Sequence, residues 1–332
     1  MAQKMTRRRF IGITAAAAGL GPLLFGGAVR TNAAVVSWNG VALGAPATLQ
    51  IHHHDRAAAE WLVQQAVAEV RRLEQLFSLY REDSALVALN RRGVLEAPAG
   101  AFVDLLEEAR RFAVLTGGAF DPTVQPLWTL YAEHFARPGA APEGPAPEAA
   151  EAALAKVGFG GVRVSRDRIV FLRSNMALTL NGIAQGFITD RVVDILRAGG
   201  IAHSLVDIGE ARAMDSRPDG RPWEVGLSDP DDPEHISAAI SLLDQAVATS
   251  GAYGFRFDGQ GRFNHLFDPS TGRSASLYRR VTVIMPTATA ADALSTGFSF
   301  LPIAEIEATL KRLGQGQVHI VAAEGQSMTL SA

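Results

Sequence analysis

The chain has 332 residues, with 31 Lys and Arg against 34 Asp and Glu, a formal net charge of −3 and 48% hydrophobic residues. That balance supports one large globular unit or two closely packed lobes, excludes a disordered chain and gives no sign of a nucleic-acid partner. There is no cysteine, which excludes disulfides, thiol catalysis, iron–sulfur clusters and thiolate zinc sites.

Thr6-Arg7-Arg8-Arg9-Phe10-Ile11 is a twin-arginine pattern, and the uncharged stretch from Ile11 to Val29 behind it is rich in Ala and Gly. Its length is about that of a membrane span, for which roughly 17–25 apolar residues suffice. The Gly/Ala content and the small residues Thr31-Asn32-Ala33 predict instead a leader cleaved near Ala33 or Ala34. Residues 1–34 are therefore set apart as a signal peptide and 35–332 as one mature domain, exported to the periplasm in folded form.

The mature chain opens with Val35 to Ala45, read as strand, glycine turn and strand, continued by the period-two run Thr48 to His52. His52, His53 and His54 follow; neighbours on a strand point to opposite faces, so a surface strand end fits better than a shared metal. Ala57 to Phe77 is a long amphipathic helix with Trp61, Leu62, Val63, Ala66, Val70, Leu73 and Leu76 on its apolar stripe. A short helix ends at Leu89-Asn90, and Ala101 to Leu115 forms another, closed by Gly117-Gly118. Pro138 to Glu151 reads as a surface loop or linker. Ile169–Leu172 and Met176–Leu180 read as a hairpin whose second strand enters the turn Asn181-Gly182-Ile183-Ala184-Gln185-Gly186 and then a helix to Gly199-Gly200. A strand, a glycine turn and a helix in succession let backbone N–H groups approach a phosphate, although any tight turn also needs glycine. Strands follow at Ala202 to Ile208, Trp223 to Leu227, Ile236 to Ile240 and Ala246 to Ser250. Phe255–Phe257 and Phe263–Phe267 flank a hairpin loop at Asp258–Arg262. A helix from Ile303 to Leu313 and a strand from Val318 to Ala322 close the chain. Helices interleaved with antiparallel hairpins predict an α+β fold of mixed or antiparallel sheets with packed helices.

Val281-Thr282-Val283-Ile284-Met285 reads as a buried strand, broken by Pro286 and followed by an alanine-rich helix containing Asp292 and Thr296. Four residues apart, the two lie on one helix face. A carboxylate and a hydroxyl so placed are hard oxygen ligands of the kind Mg2+ accepts when substrate phosphates complete its octahedron. The same spacing also fits a solvated helix start, where the dipole favours Asp.

Taken together and in order, Phe77-Ser78-Leu79-Tyr80 with Ser84 and Leu89-Asn90, Thr116 to Thr123, Asn181 to Phe187, Ala248-Thr249-Ser250-Gly251, His265 to Gly272 and Ala291 to Thr296 resemble the ApbE family of FAD:protein FMN transferases. The match runs over nearly the whole mature chain. The twin-arginine leader is similar to that of the NosX-like subgroup, which serves nitrous oxide reductase maturation. The resemblance implies FAD in a cleft between lobes with its pyrophosphate on Mg2+. A client Thr or Ser hydroxyl takes FMN and AMP leaves, on an exported or membrane-anchored redox protein such as a respiratory NosR-like flavoprotein. It implies Asp292, Thr296 and the Gly182 carbonyl as Mg2+ ligands and His265 as base for the client hydroxyl. It also implies a nucleotide site made by the Leu43 turn, Tyr80, Ala119, Phe120, Asp121, Thr179, Gln185 and Leu266. Read without the family, His265 is also a strand histidine packed beside Asp268. Three positions depart from the family pattern: Thr179 stands where Asp is usual, Asn181 where Gly or Ser is, and Gln185 where a charged residue is. The Thr179 and Gln185 departures also suit a flavin-binding maturation factor without transfer, and water in place of the client would make an FAD pyrophosphatase.

Overall fold

The computed structural model describes residues 34–229, 232 and 235–332. The twin-arginine leader lies outside the described residues. In chain order the elements are β1 (Ala34–Ala42), β2 (Ala45–His53), α1 (Arg56–Phe77), α2 (Ala85–Arg92), β3 (Val94–Glu96), α3 (Gly100–Leu115), α4 (Gln125–Phe135) and α5 (Pro147–Leu154). They continue as β4 (Val162–Val164), β5 (Arg168–Phe171), α6 (Ala184–Ala198), β6 (His203–Asp207), β7 (Ala211–Met214), β8 (Trp223–Ser228), β9 (Ile236–Leu242) and β10 (Ala246–Gly251). The last are β11 (Tyr278–Met285), α7 (Ala288–Phe298), α8 (Ile303–Leu313), β12 (Gln317–Ala322) and β13 (Ser327–Ser331).

The main sheet has eight strands in the order β1-β2-β6-β7-β10-β11-β12-β13, with every neighbouring pair antiparallel. A three-stranded sheet β3-β5-β4 and the hairpin β8-β9 stand apart from it. Helix α6 packs on α1 and α7, and α7 lies directly on β10 and β11. The fold is α+β, as expected, with its largest core between these helices and the sheet.

Local chemistry explains the entry to α1: the Asp55 carboxylate accepts hydrogen bonds from the Ala57 and Ala58 N–H groups. Ala59, Leu62, Val63, Ala66, Val70, Leu73 and Phe77 then recur at three- and four-residue spacing and are buried. Trp61 does not belong to that stripe; it is 58% exposed, one residue and about 100° round the helix from Leu62.

The expected hairpin through Met176–Leu180 is absent. Strand β5 pairs with β3 and β4 instead. Met176, Leu178 and Leu180 are buried alternately, as a strand would be, but no strand supplies the hydrogen bonds. The Asn90 side chain does so: its Oδ1 accepts from Leu178 N at 2.8 Å and its Nδ2 donates to Leu178 O at 2.8 Å. Thr179 N donates to the Pro122 carbonyl. Part of the expected linker, Pro147 onward, is helix α5, which with the unanticipated α4 buries Leu127, Tyr131 and Ala153 against Phe267. The aromatic hairpin at 255–267 is held by only a few backbone bonds, Phe257 N to Phe263 O and His265 N to Phe255 O among them. It packs through rings, Tyr131 on Phe267 at 4.9 Å and Phe255 on Phe257 at 5.1 Å.

Candidate active site

A cleft opens where the turn before α6, the buried helix α7, strand β10 and the 253–267 loop converge. Its lining combines polar residues, Thr179, Gly182, Gln185, Glu210, Asp292 and Thr296, with apolar ones, Trp128, Phe255, Leu266, Phe267 and Phe300. Such a cleft suits a ligand with both a flat ring system and a polar part, the latter meeting the carboxylates through a cation if it is anionic.

Helix α7 decides the meaning of Asp292 and Thr296. Thr287 caps it, its hydroxyl accepting from Ala290 N, and its residues from Ala288 to Ser295 are all buried. Asp292 is 3% exposed, so it is no part of a solvated helix start. Its Oδ2 accepts from Gly186 N at 3.0 Å. Burial pushes its carboxyl up to about 7; the Gly186 bond pulls against this and the nearby Asp190 charge adds to it. A buried carboxylate facing a cleft with so little local compensation is a candidate ligand for a cation.

Thr296 stands one turn further on. Its hydroxyl is 3.3 Å from Ser250 Oγ, which also meets Ser295 Oγ at 2.9 Å. A Cβ at position 182 would come within 2.8 Å of Thr296 Oγ1, so glycine is what allows the turn to close on α7. Carboxylate, hydroxyl and backbone around one space form an all-oxygen donor set of the type that suits Mg2+ with phosphate oxygens completing it. Among the described residues no group of three or more His, Cys, Asp or Glu could hold a metal, which a one-carboxylate site does not require.

Glu210, in the turn between β6 and β7, also lines the cleft. It is 5% exposed, and burial, then the charges of Asp292 and Asp207, push its carboxyl well up, while a Thr249 N–H bond opposes them. Asp207 is likewise pushed up to about 7 by burial. Gln185 leans over Gly209, between these two acids; a Cβ on Gly209 would overlap its amide. A neutral amide there brings no charge of its own to these acids.

His265 lines the same cleft as Asp292. Its Nδ1 is 3.3 Å from the Phe255 carbonyl, an acceptor only, so in the neutral ring Nδ1 carries the hydrogen and Nε2 keeps its lone pair. Burial pushes the ring down to about 4, partly opposed by that bond. A ring pushed that far down is neutral throughout the physiological range. It is not paired with Asp268, whose carboxylate accepts from Ser270 N, Ser270 Oγ and Thr271 Oγ1. Asn264 holds the segment by bonding Ala275 O and Leu266 N.

Of the remaining residues expected at a nucleotide site, Ala119, Asp121, Thr179, Gln185 and Leu266 line the cleft. The Asp121 oxygens are committed to Thr123 N, Thr123 Oγ1 and Phe159 N, so it braces the wall. Phe120 does not line the cleft: it is 3% exposed and belongs to the main core, because its chain turns inward beneath Gly297 of α7. Leu43 occupies the β1–β2 turn with φ +48°, its N–H donating to Glu74 Oε1, and does not line the cleft either. Tyr80 is 45% exposed and does not line the cleft, but its hydroxyl accepts at 3.5 Å from Nδ2 of Asn181, which does. Trp128 and Phe255, with ring centroids 6.2 Å apart, were not singled out from sequence; their Trp/Phe chemistry is equally that of a core.

The ApbE family model matches residues 43–321. The FAD:protein FMN transferase of Salmonella typhimurium is 32% identical over 269 residues, covering 76% of this chain and 74% of that one. The FAD:protein FMN transferase of Treponema pallidum is 35% identical over 271 residues, covering 73% of this chain and 72% of its own. Among solved structures, the apo flavinyl transferase ApbE of Pseudomonas stutzeri matches with TM-score 0.75 at 28% identity, over 90% of this chain and 95% of that chain. The ApbE protein of Thermotoga maritima matches with TM-score 0.78 at 27% identity, over 90% and 97%.

Proposed function

The chain belongs to the ApbE family, and from that premise we propose that it is a Mg2+-dependent FAD:protein FMN transferase acting on an exported redox protein. The observation that carries the proposal is that one cleft joins the buried Asp292 carboxylate and the half-buried Thr296 hydroxyl to His265 and to aromatic side chains. The polar lining suits a pyrophosphate with its cation, and the aromatic lining suits the flavin or adenine.

In the proposed reaction a client Thr or Ser hydroxyl oxygen attacks the phosphorus on the riboflavin side. The new bond is P–O to the client, the bond that breaks is the bridging P–O, and AMP leaves with the electron pair. The hydroxyl proton passes to His265 Nε2, whose lone pair is free because Nδ1 donates to Phe255 O. Mg2+, when bound, neutralises charge on the two phosphates. Asp292, Thr296 and the Gly182 backbone would hold it, and Gly186 N fixes the Asp292 carboxylate by its hydrogen bond.

Incubation with FAD, Mg2+ and an exported redox domain, such as a NosR-like flavoprotein, tests the proposal by flavin fluorescence retained on the client in a denaturing gel. AMP and FMN released without a client would make the protein a pyrophosphatase. Bound flavin with neither product would make it a carrier, a role the Thr179 and Gln185 departures would suit. We further propose periplasmic residence through the leader: replacing Arg7 and Arg8 with Lys should strand the protein in the cytoplasm, and undiminished periplasmic accumulation would refute twin-arginine export.

A further inference from the structure

Asp190 lies on α6, one turn beyond Gly186, and does not line the cleft. Its side chain is nevertheless fully engaged with the first turn of α7. Oδ1 accepts from Ala288 N at 2.9 Å and Oδ2 accepts from Thr289 N at 2.9 Å and from Thr289 Oγ1 at 2.5 Å. Arg212 of β7 donates from Nη1 to Oδ1 at 2.5 Å, and the side chains are only 14% and 9% exposed for Asp190 and Arg212. The α7 N-terminus therefore receives two of its orphan N–H acceptors from another helix.

A second contact lies one turn back on α6. A Cβ on Gly186 would stand 2.3 Å from the Ala288 carbonyl oxygen, so the two backbones touch, and Gly186 N grips Asp292 Oδ2. Two points, the Asp190 carboxylate and the Gly186 contact, fix both the register and the rotation of α7 against α6. Those helices carry the two walls of the oxygen site: the turn at Gly182 runs into α6, and Asp292 and Thr296 project from α7. We infer that Asp190, charge-balanced by Arg212, is a positioning residue that sets the distance between the Gly182 turn and the Asp292–Thr296 pair. The inference rests on reading that pair as cation ligands.

The test is Mn2+ binding to FAD-loaded protein without client, followed by water-proton relaxation, in wild type, Asp190→Asn and Asp292→Ala. Asp190→Asn keeps the shape but removes the charge and leaves Arg212 unpaired. Outer contacts to ligating groups typically govern about 10–100-fold of metal affinity. The expected result is Mn2+ affinity at least about tenfold weaker in Asp190→Asn, with a native circular dichroism spectrum. Unchanged affinity in folded Asp190→Asn, with only a lower melting temperature, would overturn the inference and leave the cation site standing. Absence of Mn2+ binding in wild type, or its persistence in Asp292→Ala, would overturn the cation site and this inference with it. Should Asp190→Asn not fold, Thr289→Val removes only one donor to Asp190 Oδ2; a weakening of about two- to threefold is expected, and no change would overturn the inference.

Discussion

Asp292 offers a measurable trade between stability and function. Its carboxyl ordinarily titrates at 3.8 and is pushed up to about 7 in the folded protein, first by burial. At about 1.4 kcal/mol per pH unit, the folded state gives up as much as about 4 kcal/mol when it must carry this charge. The sign follows from proton linkage. The folded pKa lies above the unfolded one, so between pH 4 and 7 the folded protein holds a proton that unfolding releases. Stability is greatest below pH 4, falls as pH rises to 7, and the loss is complete above that. Asp292→Asn removes the charge, and its Oδ1 can still accept from Gly186 N. The cation-free variant should therefore be more stable than wild type at pH 8 and nearly equal to it at pH 4. Given about 2 °C per kcal/mol for a chain of this size, the gain at pH 8 is roughly 5–8 °C in melting temperature. Calorimetry in chelator at pH 4.5 and pH 8 measures it, with wild type alongside to cancel the slope contributed by Asp207; Glu210, which the Asp292 charge pushes up, is relieved in the variant and adds to the gain at pH 8. The same variant should lose flavin transfer, since Mg2+ loses its charged ligand. A melting temperature at pH 8 no higher than wild type, or the same difference at both pH values, would refute the argument that this buried charge is a stored cost.

His265→Ala should leave FAD affinity nearly unchanged and slow transfer by about 10²–10⁴-fold, measured by single-turnover kinetics beside a flavin fluorescence titration. Because the ring titrates at about 4, the wild-type rate should rise with pH only through that region and show no histidine limb from pH 6 to 8; a limb near 6.5 that vanishes in the variant would contradict this assignment of its environment. Asn90→Ala removes both hydrogen bonds to Leu178 and leaves a buried N–H and C=O unpaired, so urea unfolding should show about 2–4 kcal/mol of lost stability, and a loss under about 0.5 kcal/mol would sink the clamp reading. Gly186→Ala places a methyl group against the Ala288 carbonyl and forces α6 and α7 apart, so both thermal stability and transfer should fall; a fully stable, active variant would mean that the two backbones do not touch as described.

Much of this protein is legible in one dimension because local patterns report burial. The 3.6-residue stripe of α1 with Asp55 before it, the turn between β1 and β2, and the break at Pro286 ahead of α7 all follow from residues near one another in the chain. The ordered motifs likewise carry the family, since Asp292, Thr296, Gly182 and His265 stand in recognisable local settings. The alternation at Met176, Leu178 and Leu180 correctly marks buried positions, yet it could not name the partner, because Asn90 mimics a strand edge from 88 residues away. Phe120 and Phe255 are alike in sequence and opposite in use, one in the core and one on the cleft wall, a difference decided by which way the backbone turns against α7 and α4. Asp190 is an ordinary polar residue on a helix until α7 brings its first N–H groups to it from 98 and 99 residues away. The charge environment of Asp292 is tertiary in the same sense: Gly186 is 106 residues distant, and Glu210 and Asp190 come from other elements. Periodicity determines which residues leave water, because burial is a one-sided property of a helix or strand. The packing of distant elements decides which buried polar groups find partners and which are left to meet a ligand.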